Sequence, residues 1–522
     1  MSLAARQLGM SPTAPVTRRG VLKAGALGAA TVATAACTPS FTGDSRPAAS
    51  SSPAAVTSSA PSVDESSPHR GPGAADWRAL AHSIDGDVVH RADGDFTRVS
   101  RLFNRRFDGV RPLAVVEVAS AHDVQEAIGF ARRFGLRARP KAGGHSYVGA
   151  STVPDGLVID VARIRAVHYD SASHVVSVGA GAPLYDVHAS LAAHGRTIPT
   201  GTCPTVATAG LALGGGIGVA SREHGLTCDQ MAGVTIVTAD GQVRVANAEQ
   251  NRDLFWACRG GGGGNLGIVT SFRFSAQPSR RTGFFLLSFP WSSASAVVRG
   301  WARRVREMRR SSWANLHLEA GSDGSASVRV VGTCRAGDAD SEAAAMEAAV
   351  GVDATSVSTF DKSFLEGVQF LGGGTTSPRQ AFVAGSDVVP VMTRALSRTL
   401  PGVVAQRAAS GHPAAVILDP LTGRVSDVAT AATAFPWRSH LCDIQWYVGL
   451  PTPPSTAAVR GAYAWIGRAH DAVAAYSDGG YVNYLEPHRL VSGYHGPNAA
   501  RLRAIKHAVD PSRFFSSPYT IG

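Results

Sequence analysis

The stretch that decides the fold reads R-P-K-A-G-G-H-S-Y-V-G-A-S, residues 139–151. Upstream of it, a β-branched run predicts a strand at 113–118, and apolar residues at helical spacing after Ser120 predict a helix. The Gly-Gly pair lets the backbone approach a ligand closely and offers amide donors to phosphate oxygens. His145 would hold an imidazole beside the same ligand, although a loop histidine that faces solvent is the simpler interpretation of this stretch alone.

Two more glycine-rich stretches follow: G-T-C-P-T-V-A-T-A-G-L-A-L-G-G-G-I-G at 201–218 and L-F-W-A-C-R-G-G-G-G-G-N-L-G-I-V-T at 254–270. The first contains Cys203 between turn residues, where on its own it is more simply a structural thiol. The second contains a G-x-G-x-x-G pattern, but a dinucleotide-binding Rossmann turn needs a helix after the glycines. Here the strand I-V-T-S-F-R-F follows, so the glycines do not indicate a Rossmann fold.

Composition excludes several classes of protein. With 522 residues, 44% of them hydrophobic and 17% charged, the chain can bury a large core, which excludes wholesale disorder. Six cysteines are too few for a disulfide scaffold, and the sequence lacks C-x-x-C, H-E-x-x-H and G-x-S-x-G motifs. The formal charge of +11 comes from scattered arginines rather than from a basic stripe. We therefore expect neither a metal site nor a nucleic-acid partner.

The N-terminus predicts export. Residues 17–23 read T-R-R-G-V-L-K and precede a small-residue stretch too short to span a bilayer, which is typical of a twin-arginine signal peptide, here at 1–37. Cys37 after T-A-A resembles a bacterial lipobox. Lipid attachment there, or plain cleavage nearby, would leave an extracellular protein, a cell-surface lipoprotein or a periplasmic protein, with membrane contact only through that lipid. The Ser-, Ala- and Pro-rich residues 38–75 predict a disordered tether.

The motifs G-G-H-S-Y, G-T-C-P-T-V, G-G-G-I-G and R-G-G-G-G-G-N-L-G-I-V-T together resemble the berberine-bridge-enzyme-like flavoprotein oxidases, which have an FAD domain of the vanillyl-alcohol-oxidase or p-cresol-methylhydroxylase type. The C-terminal Y-V-N-Y-L-E, Y-H-G-P-N and D-P-S-R-F-F agree with this resemblance. It implies an α+β fold with a two-part FAD-binding domain at 76–276 and 478–522. Between the two parts, residues 277–477 would form an inserted α+β substrate domain with a large antiparallel sheet.

The resemblance also implies which residues hold the cofactor. His145 and Cys203 match the two residues that attach FAD in this family, which implies bicovalent FAD. Other contacts fall in three loops and at one C-terminal residue. The pyrophosphate would lie at Lys141, Ala142, Gly143, Gly144 and Ser146, the adenosine and ribityl parts at Gly214, Gly215, Gly216, Gly218, Gly264, Asn265, Gly267, Ile268 and Val269, and the isoalloxazine edge at Asn483. Asp229 is expected to support its loop rather than to contact substrate.

The same resemblance assigns the catalytic residues. Tyr484 would be the base that takes the substrate hydroxyl proton, which requires a phenol tuned toward tyrosinate. Tyr481, on the same short strand, would either contact substrate or only pack, and Tyr147 would line the pocket. His224 stands where many plant relatives have tyrosine, and a protonated imidazole there would lower the pKa of Tyr484.

A strand at D-I-Q-W-Y-V, residues 443–448, is expected in the substrate domain. Gln445 and Tyr447 would face one side of it and Trp446 the other, because side chains alternate along a strand. Gln445 and Tyr447 are therefore candidates for the substrate pocket, and ordinary sheet packing is the alternative. Cys228 and Cys258 flank flavin-domain loops, so a disulfide between them is possible in an exported protein.

The chain is therefore expected to be an exported FAD-dependent oxidoreductase. It would oxidise a carbinol C–H of a sugar or natural product by hydride transfer to flavin N5, with dioxygen reoxidising the flavin to give hydrogen peroxide. One alternative is a dehydrogenase that uses a quinone or another acceptor, and Leu213 is the residue expected to restrict oxygen. A second alternative is a surface lipoprotein that binds flavin or carbohydrate without turnover.

Overall fold

The computed structural model describes residues 70–487 and 489–522. The predicted signal peptide, Cys37 and nearly all of the predicted tether lie outside the described residues. Helical structure begins at Ala74, just before the end expected for the tether. Within the described ranges, no helix combines the length and the apolar character needed to cross a bilayer.

The first part of the fold carries three small sheets. Its helices are α1 Ala74–Ser83, α2 Phe96–Ser100, α3 Ala121–Arg133, α4 Leu184–Ala192, α5 Thr208–Leu213, α6 Ser221–His224 and α7 Arg252–Cys258. Its strands are β1 Asp87–His90, β2 Ala114–Glu117, β3 Ala138–Lys141, β4 Leu157–Asp160, β5 Val167–Asp170, β6 Val175–Gly179, β7 Arg196–Thr197, β8 Met231–Val237, β9 Val243–Asn247, β10 Ile268–Ser275 and β11 Gln277–Pro278.

These strands form a four-stranded mixed sheet, a five-stranded antiparallel sheet and an antiparallel pair of β7 and β11. The first has the order β1-β2-β4-β3, with β2, β4 and β3 parallel, and the second has the order β5-β6-β10-β8-β9. The predicted helix α3 crosses between β2 and β3, and the Ser120 hydroxyl caps it by accepting from the Asp123 amide. The phosphate-binding loop predicted from sequence therefore begins at the carboxyl end of the edge strand β3.

The second part of the fold is built on one large sheet. Its elements are β12 Thr282–Phe289, α8 Ala294–Glu307, β13 Trp313–Ala320, β14 Ala326–Arg335, α9 Ala339–Val350, β15 Ser356–Lys362, α10 Phe364–Gly372, β16 Phe382–Val389, α11 Arg394–Ala409, β17 Ala414–Pro420, β18 Cys442–Gly449 and α12 Thr456–Val473. The seven strands are all antiparallel, in the order β15-β12-β14-β13-β17-β18-β16. The predicted α+β fold with a large antiparallel sheet is confirmed.

Alternation along the strands gives this sheet two different faces. On β13, Ala314, Leu316 and Leu318 are fully buried in a core shared with α8, α9, α11 and α12. The intervening residues Asn315 and His317 point to the opposite face, which lines a cavity. One face of the sheet therefore holds the fold together, and the other is available for binding.

The chain then returns to the first part of the fold. The last helices are α13 Ser492–His495 and α14 Ala499–Val509. Leu502, Phe515 and Ile521 are fully buried in the core of the first part. The buried Lys506 ammonium donates to the Asn265 carbonyl, the Phe515 carbonyl and the Asp510 carboxylate. The C-terminal segment is thus an integral part of the core that the N-terminal sheets build.

The suggested disulfide is absent. Cys228 and Cys258 are both buried and both free, and the Cys228 thiol donates instead to the Asp229 carboxylate, 3.7 Å away. Burial raises the pKa of the Cys258 thiol to about 12. These thiols pack as small apolar side chains in the core.

Candidate active site

A cavity of about 730 Å³ lies between the two parts of the fold. Glycine-rich loops of the first part form one wall, and the polar face of the large sheet forms the opposite wall. The segment 481–485 closes one end. All three motifs singled out in the sequence therefore border one space.

The first motif brings its backbone to the cavity. Residues Lys141 to Ser146 all line it, and a Cβ added to Gly143 would lie 2.7 Å from the Ala207 nitrogen, so only glycine fits this close approach. The Lys141 ammonium is directed elsewhere, because it donates to the Val99 carbonyl and to Asp160. The loop can therefore offer main-chain amides to a phosphate, while its lysine side chain forms a buried ion pair.

His145 and Cys203 lie on the same wall of the cavity. The His145 ring stacks on Phe103, with ring centroids 3.9 Å apart and planes 19° apart. Burial lowers the pKa of His145 to about 4, so the imidazole is neutral near pH 7. The Thr205 hydroxyl lies 3.1 Å from His145 Nε2 and 3.8 Å from the Cys203 sulfur. One hydroxyl thus connects the two residues expected to attach the cofactor.

The other two loops differ in part from the prediction. Gly218, Gly264, Gly267, Ile268 and Val269 line the cavity as expected, but Gly214, Gly215, Gly216 and Asn265 do not. A Cβ at Gly214 or Gly216 would collide with Asn483 or Thr227, and one at Gly215 would lie 3.1 Å from Phe435, so this run packs closely against other parts of the protein. Asn265 is fully buried, and its side-chain oxygen accepts from the Ile521 amide.

Three tyrosines form the closed end of the cavity. The Tyr147 and Tyr484 rings are parallel, with centroids 5.2 Å apart, and the Tyr481 ring meets Tyr484 edge-on at 5.0 Å. Tyr481, Asn483 and Tyr484 belong to a 3-10 turn at Val482–Tyr484 and its N-cap, not to the expected strand. The Tyr481 hydroxyl accepts from the Gly216 amide and from Asn483 Nδ2, which makes Tyr481 mainly a structural residue. The turn, rather than strand alternation, brings Tyr481 and Tyr484 together.

The opposite wall contains the predicted Gln445 and Tyr447. Gln445 donates from Nε2 to the Tyr147 hydroxyl at 2.6 Å, and the Tyr447 hydroxyl donates to Gln380 Oε1 at 3.0 Å. Trp446 lies on the other face of the sheet, fully buried against the helices. Gln445 and Tyr447 therefore face the cavity and Trp446 faces the helices, as strand alternation predicted.

Sequence reasoning missed Asp419, which faces the cavity from β17. Burial raises the pKa of Asp419 to about 6, although a hydrogen bond with Asn315 opposes the shift. Asp419 lies directly across the strand pair from Asp443, a fully buried carboxyl group whose oxygens have no hydrogen-bond partner among the described residues. Burial and Asp419 raise the pKa of Asp443 well above its ordinary range. Asp419 ends the run A-A-V-I-L-D at 414–419. Strand alternation places it on the same face as Ala415 and Ile417, and this was the signal that the sequence offered.

The predicted pair of His224 and Tyr484 does not form. His224 is not among the residues that line the cavity, and its Nε2 lies 3.7 Å from Glu223. Burial lowers the pKa of His224, so a protonated imidazole is not favoured there either. Burial, Tyr147 and Asp419 raise the pKa of Tyr484 well above its ordinary value. In the protein chain alone Tyr484 is therefore a neutral phenol and not a tyrosinate.

A buried ionic cluster holds the tyrosine segment in place. His470 on α12 lies 2.6 Å from Asp387 through Nδ1 and 2.6 Å from Glu486 through Nε2. Glu486 follows Tyr484 by two residues and also accepts from the Ser386 amide. Burial opposes a charged imidazole, but the two carboxylates outweigh it and raise the pKa of His470 to about 9. His470 is thus a doubly protonated clamp between the sheet and the C-terminal return.

We expect the His470 clamp to make stability depend on pH. The pKa of His470 is raised from 6.5 to about 9. Its contribution to the free energy of unfolding is therefore complete below pH 6.5 and is lost as the pH rises through 9. For a mostly buried imidazole, the loss is of the order of 2–3 kcal/mol. Urea unfolding of wild type and His470→Gln should therefore differ most at pH 6 and converge by pH 9.5. A difference that stays constant over this range would contradict the clamp.

The shape and donor set of the cavity fit a flavin dinucleotide. Main-chain amides of a glycine loop lie on one wall, and tyrosine rings close the other end beside polar side chains of the sheet. Among the described residues there is no group of three or more His, Cys, Asp or Glu side chains that could hold a metal ion.

Comparisons with known proteins agree with this arrangement. A family model for an FAD binding domain matches residues 112–247, and one for berberine and berberine-like proteins matches residues 480–522. The FAD-linked oxidoreductase YgaK of Bacillus subtilis is 28% identical over 443 residues, which cover 83% of this chain and 96% of YgaK.

Solved structures resemble most of the chain. The BBE-like 1 protein of Physcomitrella patens matches with a TM-score of 0.78 at 25% identity, over 85% of this chain and 99% of its own. The carbohydrate oxidase of Microdochium nivale, solved in complex with a substrate analogue, matches with a TM-score of 0.77 at 25% identity, over 85% of this chain and 98% of its own.

Proposed function

Because this chain is a berberine-bridge-like FAD-linked oxidoreductase, we propose that it oxidises a carbinol C–H of a sugar or a similarly hydroxylated compound and passes the electrons to dioxygen. FAD, when bound, supplies the hydride acceptor. The observation that carries the substrate proposal is the polar face of the large sheet. Asn315, His317, Asp419, Gln445 and Tyr447 all border the cavity there, where an apolar substrate would require apolar side chains.

We assign proton acceptance to Asp419. A base with a pKa of about 6 is mostly ionised at neutral pH and is well matched to take a hydroxyl proton. Tyr484, kept neutral by its raised pKa, can orient the substrate hydroxyl by hydrogen bonding. Tyr147 is held by Gln445 and by Arg106, which donates to the Tyr147 carbonyl. These contacts fix the parallel pair of rings against which a substrate ring can lie.

Covalent attachment of the flavin through His145 and Cys203 is part of the proposal. Thr205 engages Nε2 of His145, which leaves Nδ1 as the nitrogen for the bond. Both residues border the same cavity wall, as two attachments to one ring system require. Attachment would also retain the cofactor after export, which we propose from the sequence of residues 17–37 alone. The mass of the mature chain tests that export proposal and any lipid on Cys37.

The function is tested by anaerobic mixing with a panel of sugars and aromatic alcohols. We expect hydroxylated sugars to bleach the flavin absorbance and apolar alcohols to leave it unchanged. Stopped-flow mixing of the bleached enzyme with air-saturated buffer should then restore the absorbance quickly and yield hydrogen peroxide. Sluggish reoxidation would favour the dehydrogenase alternative, in which Leu213 at the cavity wall restricts oxygen. Failure of every sugar to bleach the flavin would refute the substrate class.

A further inference from the structure

The Thr205 hydroxyl occupies a position that the proposed activity does not explain. It lies 3.1 Å from His145 Nε2 and 3.8 Å from the Cys203 sulfur, so one oxygen contacts both proposed attachment residues. The Cys203 sulfur has a second hydroxyl neighbour, Ser377, at 3.9 Å. Ser377 contacts Cys203, whereas the Thr205 hydroxyl contacts both Cys203 and His145.

The surroundings of His145 restrict how it can react. Phe103 stacks on the ring, so the plane of the imidazole is held. Burial keeps the ring neutral, so it carries one proton and one lone pair. When Nε2 carries the proton and donates to the Thr205 oxygen, the lone pair lies on Nδ1. A hydroxyl can then donate its own hydrogen onward, because it accepts and donates at the same time.

We propose that Thr205 is a positioning residue for covalent flavin attachment, whose hydroxyl holds His145 at Nε2 and connects that nitrogen to the Cys203 sulfur. The inference rests on the proposed bicovalent FAD. Thr205 itself forms no bond to the cofactor. Its contribution is to hold the two reacting side chains and to take up the hydrogen bond from Nε2 as that nitrogen becomes more acidic.

The attachment reaction balances with dioxygen as the oxidant. At His145, the bond replaces one hydrogen of the flavin methyl group and one hydrogen of the imidazole, and the two protons and two electrons leave with dioxygen as hydrogen peroxide. At Cys203, the bond replaces the thiol hydrogen and one ring hydrogen with the same stoichiometry. The hydrogen lost from the imidazole is the one on Nε2, which the Thr205 oxygen faces. Thr205 is therefore placed at the proton-releasing side of the ring.

The test compares covalent flavin in full-length wild type, Thr205→Val, Thr205→Ser and Thr202→Val. Thr202 is in the same loop, and its hydroxyl makes no hydrogen bond within the described residues, so it is the matched control. The covalent fraction is measured by acid precipitation and by intact mass, and total flavin is measured by absorbance before precipitation. Neither measurement depends on activity. We expect Thr205→Val to lower the covalent fraction at least about fivefold while total flavin stays near that of wild type.

Thr205→Ser, which keeps the hydroxyl, should restore attachment, and Thr202→Val should match wild type. Full covalent attachment in Thr205→Val would overturn the role of Thr205 and leave the proposed function intact. An equal loss in Thr202→Val would also overturn it, because the effect would then belong to the loop. If wild type itself releases all its flavin in acid, the bicovalent proposal fails and the role of Thr205 fails with it. If Thr205→Val does not fold, failure of Thr205→Ser to attach flavin would overturn the proposal.

Discussion

Replacing Asp419 with asparagine should lower the rate constant for flavin reduction by substrate about 10²- to 10⁴-fold, the range typical of losing a general base. The carboxyl group faces the cavity on β17 and is the acid near Tyr484 whose pKa, about 6, suits proton acceptance at neutral pH. Asparagine has nearly the same size and cannot accept the proton as a carboxylate does. FAD content should not change, since Asp419 is on the wall opposite the glycine loops.

The rate of flavin reduction should also depend on pH. A base must be deprotonated to act, so reduction of the wild-type flavin should accelerate as the pH rises through about 6 and then level off. The Asp419→Asn profile should lack this rise. Anaerobic stopped-flow reduction between pH 5 and 8 measures both.

Asp443→Asn is the matched control for Asp419→Asn. Asp443 is directly across the strand pair, but it does not line the cavity and burial raises its pKa well above the ordinary range, so an amide there should change the rate only a few-fold. Tyr484→Phe provides the comparison with the base expected from sequence. A near-normal rate in Asp419→Asn with a large loss in Tyr484→Phe would return the base assignment to Tyr484.

Replacing Arg438 with methionine should destabilise the protein by about 3–5 kcal/mol, because it leaves a buried carboxylate without its partner. Arg438 Nη1 and Nη2 donate to the two oxygens of Asp229 at 2.8 and 2.7 Å, and both side chains are at most 7% exposed. The guanidinium also donates to Thr433 and stacks over the Phe435 ring. The pair joins the turn Thr227–Gln230 to the loop that precedes β18, so it also connects the two parts of the fold.

Urea unfolding followed by tryptophan fluorescence measures the effect. The double variant Asp229→Asn/Arg438→Met should recover much of the loss, because no unpaired charge stays buried. Arg438→Lys is a useful control, since it keeps the charge but loses the two-pronged geometry and should fall between wild type and methionine. If Arg438→Met alone changes stability by less than about 1 kcal/mol, the pair is not buried as tightly as described.

Much of the site could be predicted from sequence because its motifs act through backbone geometry. The Gly-Gly-His loop lines the cavity, and Gly143 also packs closely against the backbone at Ala207. The orientation of Gln445, Trp446 and Tyr447 followed from strand alternation alone. Local rules of this kind need no knowledge of distant neighbours.

The errors share a physical cause, which is the identity of a partner far away in sequence. A glycine run indicates that some group approaches the backbone closely, but it does not identify that group. At Gly214 to Gly216 the close neighbours are Asn483, Phe435 and Thr227. His224 is the last residue of the short helix α6 and its imidazole lies next to Glu223, so being close to a motif in sequence did not place it at the cavity. A pair of cysteines near loops likewise says nothing about whether the sulfurs meet.

The sequence by itself determined the class of protein: its motifs resemble those of berberine-bridge-enzyme-like proteins, and that resemblance implied a two-part flavin domain, an inserted sheet domain and part of the cavity lining. Only the tertiary structure decided the acid–base chemistry. Whether a tyrosine or a carboxyl group can take a proton depends on burial and on the ionisable groups beside it. Here those groups come from β17, β18 and the C-terminal turn, which are separated by tens of residues in the sequence. A pKa is a property of an environment, and the environment is assembled only when the chain folds.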